Sequence, residues 1–209
     1  MAQEEHVLVV ERKVIEQAGM FQGLAFDVDN YLPRLFVPGV PRFMPRSKAE
    51  ADPAFKQLIP YVIMACNGRY LTYVRGKRAG ETRLLKLRSI GIGGHINPVD
   101  ADNSSLFAYL KENYLNAVER EVAEEVSVGA GHTDRIVALL NDDSNEVGSV
   151  HLGIVHYWIL DAPNVTRREQ MITQMTFMTP TELCNLRDKM ETWSQLCLDG
   201  LEKMTKQSR

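Results

Sequence analysis

The chain predicts a mixed α/β domain, on three observations. Short apolar runs bounded by turn residues recur between Tyr61 and Met178 and read as strands. Leu106 to Val126 carries apolar residues at helical spacing. Thr179-Pro180-Thr181-Glu182 then opens a second helical region that reaches about Lys203. With 209 residues there is room for one well-buried domain, or a domain with an N-terminal extension, and too little for two ordinary enzyme domains. Apolar content of 44% beside 24% charged residues suits a chain that folds alone and excludes the composition of a disordered one.

A formal net charge of -3 supplies no general attraction for a nucleic acid duplex or an anionic membrane. The acidic start, Met1 to His6, is not followed by the apolar stretch of a secretory signal, and no run approaches the ~18 apolar residues of a membrane span. Cys66, Cys184 and Cys197 are widely spaced and form no C-x-x-C pair, which suits reduced thiols and a cytoplasmic location. Each is read as a packing residue.

Val7 to Val10 reads as a strand within an N-terminal extension, 1–59, that packs on a main domain of residues 60–209. From Tyr31 the chain carries Pro33, Pro38, Pro41, Pro45, Pro53 and Pro60 among basic residues, so this stretch is expected to be largely irregular. Tyr61 to Cys66 and Tyr70 to Val74 flank Asn67-Gly68, a strong signal for a two-residue hairpin. Arg83 to Ile92 is strand-like and ends in Gly91-Ile92-Gly93-Gly94-His95. A polar loop from Asn97 follows, with Ser104 or Ser105 as the cap of the long helix. Leu115, Val118, Val122 and Val126 mark that helix's buried stripe. Arg135 to Leu140 and Val150 to Leu160 read as strands separated by the acidic loop Asn141 to Gly148, and Met175 to Met178 as a further short one.

The long helix carries the chemistry. Glu121, Glu124 and Glu125 fall at i, i+3 and i+4, so three carboxylates converge within one turn, a crowding that self-repulsion disfavours unless a cation is shared. The plain alternative is a solvated face with Arg120 and Glu124 paired at i,i+4. Glu112, a gap of seven residues, and Arg120-Glu121-Val122-Ala123-Glu124-Glu125-Val126-Ser127-Val128 resemble the Nudix box, G-x5-E-x7-R-E-U-x-E-E-x-G-U, with U aliphatic. Ser127 stands in place of the second glycine. Gly94 is taken as the first, which leaves 12 extra residues before Glu112.

The resemblance implies an α/β/α sandwich and a hydrolase that cleaves a nucleoside diphosphate linked to another moiety, with Mg2+ or Mn2+ as cofactor. It implies that Glu121, Glu124 and Glu125 hold the metal and that Arg120 orients a glutamate. Glu124 or Glu125 would accept the proton of the attacking water, and Glu112 would have a structural role. Family members draw a further acidic group from a later strand end or loop, and Asp161, Glu146 and Glu169 are the choices; Asp161, which follows a strand, is favoured as a metal ligand. Family habit also implies a homodimer. Gly93, Gly94 and His95 are the expected substrate contacts, through close backbone approach to phosphate and the imidazole.

Arg34, Arg42, Arg46, Arg69, Arg75 and Arg83 are available as phosphate clamps. His151 and His156 lie at odd spacing on one strand, so they cannot form a two-histidine ligand set on a single face. Trp158 and Trp193 are read as core aromatics. Two other functions share this architecture. A nucleotide-binding module without turnover is expected to lose one of the three glutamates, and an isopentenyl diphosphate isomerase relies on a cysteine, which is missing near Gly93 to Pro98.

Overall fold

The computed structural model of the chain describes residues 4–76, 87–98, 109–170 and 172–208. The N-terminal part runs β1 (His6–Glu11), α1 (Arg12–Gly19), β2 (Gly23–Ala25), α2 (Val28–Leu35), β3 (Arg42–Pro45) and α3 (Arg46–Ala51). The proline-rich stretch therefore holds a helix, a strand and a second helix where irregular backbone was expected. Two of its prolines sit where a missing N–H is tolerated: Pro41 just before β3, and Pro45 at the cap of α3. Pro33 lies inside the short α2.

The chain continues as β4 (Phe55–Cys66), β5 (Arg69–Arg75), β6 (Arg88–Ser89), β7 (Gly91–Gly93) and the long helix α4 (Tyr109–Glu125). Next come β8 (Val126–Val128), β9 (His132–Asn141), α5 (Glu146–Ser149), β10 (His151–Leu160), β11 (Val165–Arg167) and β12 (Ile172–Met178). It ends in α6 (Pro180–Cys184), a 3-10 turn at Arg187–Lys189 and α7 (Thr192–Gln207). The fold is mixed α/β, and the described strands form a ten-stranded sheet and a separate β8–β11 ladder. The boundary expected at residue 60 falls inside β4. Ser104, Ser105, Arg83 and most of the loop after Asn97 lie outside the described residues.

The residues group into two compact units. The first comprises Met1–Pro60, Gly94–Arg120 and Ala138–Ile154. Here β1 pairs antiparallel with β3 and with the start of β4, and Val7, Val9 and Ala49 form an apolar cluster under Met44 and Phe55. β2 pairs with the end of β9. Helices α1 and α2 are tied by side chains that satisfy the last carbonyls of α1: Tyr31 Oη donates to Gly19 O at 2.6 Å and Asn30 Nδ2 to Ala18 O at 2.8 Å.

The second unit comprises Tyr61–Gly93, Glu121–Val137 and Val155–Arg209. Its strands run in the order β12-β5-β4-β10-β9. Asn67 and Gly68 take φ of 50° and 73°, the paired positive values of a type I′ turn, and Cys66 faces Arg69 across the hairpin as the sequence predicts. β10 is buried along nearly its whole length, as befits a strand covered on both faces. Thr179 caps α6 in a reciprocal box, its N–H donating to Glu182 Oε2 at 2.7 Å.

Candidate functional site

Helix α4 buries Tyr114, Ala117, Val118 and Val122, while Leu115 is 38% exposed. The buried stripe is thus rotated from the one expected, which ran through Leu115. The difference matters for the glutamates. At 3.6 residues per turn, Glu121 and Glu125 fall on the side of Val118 and Val122, and both are half-buried, whereas Glu124 and Glu112 are exposed. Glu121 and Glu125 thus lie beside the buried stripe and not on a fully solvated face. Tyr114 occupies the position that turns the stripe.

The carboxyl end of α4 is closed by backbone. Arg168 N and Glu169 N donate to Glu125 O at 3.1 and 3.2 Å, and Arg168 Nη1 donates to Ala123 O at 2.8 Å. These bonds satisfy carbonyls that have no partner within the helix. They also bring Glu169, itself half-buried, to the turn that carries Glu124 and Glu125. Asp161, the acidic residue favoured from sequence, lies beyond β10: its N–H donates to Gly131 O at 2.9 Å, and its carboxylate packs where a Cβ on Gly131 would stand. Its described contacts belong to that turn.

Glu125 also acts at a distance within its own unit. Burial pushes the Tyr73 phenol up to about 12, with Arg75 opposing and the Glu191 and Glu125 carboxylates adding to the rise. Ser127 has no need of a glycine's freedom. It sits in β8, opposite Thr166 of β11, in extended backbone that any residue adopts.

Gly93 and Gly94 are not among the positive-φ glycines, so a left-handed turn does not explain the pair. Gly93 is paired with Tyr61 of β4. The segment beyond is pinned from both sides, with Arg120 Nη2 donating to His95 O at 3.0 Å and Leu8 N donating to Ile96 O at 3.0 Å. Arg120 therefore ties α4 to the segment that follows the glycine pair.

Several of the arginines considered as phosphate clamps are engaged in structure. Arg75 binds Glu191 at 2.8 Å, Arg69 binds Phe177 O and Glu182, and Arg46 binds Glu5 at 2.8 Å. Arg42 lies over the Phe55 ring and Arg34 donates to Asn30 O. Trp158 is buried and stacks on His132 with centroids 3.8 Å apart, and Trp193 is half-buried against Tyr61. Cys66 and Cys197 are buried, but Cys184 is exposed at the end of α6, contrary to a packing role.

His151 and His156 do go separate ways. His156 Nδ1 meets the Asp134 carboxylate at 2.8 Å, while His151 joins His95 and Glu50. One donor atom from each of Glu50, His95 and His151 lies within 4.8 Å of the other two. Sequence reasoning missed this set because Glu50 lies in the stretch expected to be irregular and the two histidines are far apart in the chain. No spacing rule joins them. Burial holds the His151 pKa below the ordinary histidine value, against a bond to the Val147 carbonyl and the charge of Glu50.

No family model matches the chain. Protein YmaB of Bacillus subtilis (strain 168) is 32% identical over 208 residues, which span 95% of this chain and 98% of that relative. Among solved structures, Tm1382, a Nudix hydrolase by assignment, has a TM-score of 0.77 and 30% identity over 94% of this chain and 98% of its own. The NUDIX domain of Shewanella oneidensis NrtR, solved with ADP ribose, has a TM-score of 0.53 and 12% identity over 74% of this chain and 89% of its own. That is a likeness of fold.

Proposed function

The chain belongs to the Nudix hydrolase family, and we propose that it is a metal-dependent pyrophosphohydrolase that opens a phosphoanhydride bond of a nucleoside diphosphate linked to a second moiety. The observation that carries this is the last turn of α4. Three carboxylates leave one turn, two of them from the half-buried side of the helix. Placing like charges there is costly unless a cation is shared.

Glu121, Glu124 and Glu125 offer the hard oxygen donors that Mg2+ or Mn2+ prefers, with phosphate oxygens and water completing the shell. When bound, the ion supplies positive charge against the diphosphate and acidifies the attacking water. The chain's own residues do the rest. The Arg168 and Glu169 amides lock the end of the helix that carries Glu124 and Glu125, and so fix the direction from which those carboxylates project. Arg120 holds the His95 carbonyl and thereby the segment after Gly93 and Gly94, whose lack of side chains permits close approach of phosphate oxygens. The exposed Glu124 would receive the proton of the attacking water. The backbone link between Glu125 and Glu169 supports Glu169, ahead of Asp161, as the additional acidic group.

The test is a panel of nucleoside diphosphate sugars, ADP ribose, dinucleoside polyphosphates, nucleoside triphosphates and coenzyme pyrophosphates with Mg2+ or Mn2+. Chelation is expected to abolish turnover. Glu124→Gln and Glu125→Gln are each expected to lower kcat by roughly 10²- to 10⁴-fold, the range for removing a group that transfers a proton in the transition state. Turnover indifferent to chelator, or intact in both variants, sinks the proposal. Tight binding across the panel without turnover would make the chain a nucleotide-binding module instead.

A further inference from the structure

We propose that Glu50, His95 and His151 form a second metal site, distinct in chemistry from the box carboxylates and suited to a zinc-class ion. Two imidazoles and one carboxylate are a common donor set for Zn2+, which takes three protein ligands where a fourth position is left for water or a ligand. Donors around such an ion lie about 3.4 Å apart at bond lengths of about 2.1 Å. The set observed here spans up to 4.8 Å, and the exposed Glu50 can close that gap by side-chain rotation.

The orientation of each ligand has an identifiable cause. His151, the first residue of β10, has Nδ1 at 2.6 Å from Val147 O. A carbonyl only accepts, so Nδ1 carries the proton and Nε2 is left with the lone pair that a metal needs. The His95 backbone is held by Arg120 and its neighbour Ile96 by Leu8, so the ring leaves a fixed segment. The two rings stand 5.6 Å apart between centroids and are tilted by 54°, so they do not stack on each other. Behind His95, Nδ1 is 4.0 Å from Glu5 Oε1, longer than a hydrogen bond but close enough that this carboxylate could move in to back a metal-bound imidazole. Arg46 holds both acidic partners, binding Glu5 at 2.8 Å and Glu50 at 3.4 Å.

The ligands come from α3, from the segment after β7 and from β10, so the ion would tie together three pieces of the first unit that are remote in sequence. The box offers carboxylate oxygens alone. The two sites should therefore be separable by metal type: oxygen ligands suit Mg2+ and Mn2+, and imidazoles suit zinc-class ions.

The experiment uses full-length protein stripped of metal, titrated with Zn2+ in excess Mg2+, with Co2+ as an optical probe. The wild-type chain is expected to bind about one equivalent of Zn2+ and to give visible Co2+ bands of low-symmetry, nitrogen-containing coordination. His95→Ala and His151→Ala should each weaken Zn2+ binding by at least about 100-fold, since even an outer partner of a ligand is worth 10- to 100-fold. A combined Glu121→Gln, Glu124→Gln, Glu125→Gln variant should bind Zn2+ as the wild type does. Because His151 is buried and its removal can disturb folding, Glu50→Gln, at an exposed side chain, is a second probe, with apo stability followed by circular dichroism. It should retain the apo Tm and lose the Zn2+-dependent rise in Tm. No Zn2+ binding by the wild type in the micromolar range overturns the site. So does wild-type affinity in the folded histidine variants, or loss of binding only in the box variant.

Discussion

Lys56 buries its ammonium completely, and the reason it remains in the core is Asp143. Lys56 Nζ donates to Asp143 Oδ1 at 2.6 Å and to Gly148 O at 2.9 Å, and Arg12 binds the same carboxylate. Burial alone would raise the Asp143 pKa, but its bonds to Arg12 and Lys56 outweigh that and bring it down to about 2. Asp143→Ala leaves a buried cation with a single carbonyl, and is expected to cost roughly 3–5 kcal/mol at neutral pH. The sign of the pH effect follows from the depressed value. The carboxylate's contribution is complete above the unfolded pKa near 4 and disappears as pH falls toward 2. Urea denaturation of wild type and variant at several pH values should therefore converge across that window; a constant difference would contradict the assignment. None of this was legible in sequence, where Asp143 is one acid among several in a loop. Glu121 and Glu125 teach the same lesson. Their convergence was read from spacing, but their half-burial depends on Tyr114, not Leu115, lying on the packed side of α4.

At the scale of elements, local chemistry was decisive wherever it was strong. Asn67-Gly68 made its hairpin because its φ values suit few other pairs. Thr179 and Glu182 made their capping box because both partners lie within one turn. Thr179→Ala should lower stability by about 1 kcal/mol, as a shift in the denaturation midpoint with unchanged slope. Gly91 has a reason that sequence cannot supply. A Cβ there would stand 2.2 Å from the Tyr61 ring. That ring is buried and anchored through its hydroxyl to Ser194 at 2.8 Å, beside Glu191 and Ser89. Gly91→Ala is expected to destabilise by about 1–3 kcal/mol or more, the range for forcing extra volume into a packed core. A thermal melt equal to wild type would show that Tyr61 yields freely. The proline-rich stretch went the other way. Its prolines were counted as breakers, yet three elements form around them because β1 provides a partner for β3 and an apolar floor for α3.

For the whole molecule, the proposed function would make catalysis a property of one helical turn supported by its surroundings. If that is so, activity and stability should separate. Metal-stripped protein should be inactive and recover with Mg2+ or Mn2+. The Glu124→Gln variant should keep the parent melting temperature within a few degrees, because an exposed side chain contributes little to stability, yet fail to recover. Loss of both together would mean that Glu124 is structural. Among the described residues no helix is long and apolar enough to cross a membrane.

The sequence by itself determined the fold class, the hairpin, the capped start of the C-terminal helical region and the carboxylate turn, since each rests on residues within a few positions of one another, where periodicity and turn chemistry operate. Only the tertiary structure decided which side of α4 is packed, that Glu169 lies at its end, and that Glu50, His95 and His151 meet. Those outcomes depend on contacts between segments distant in the chain, which no local spacing encodes.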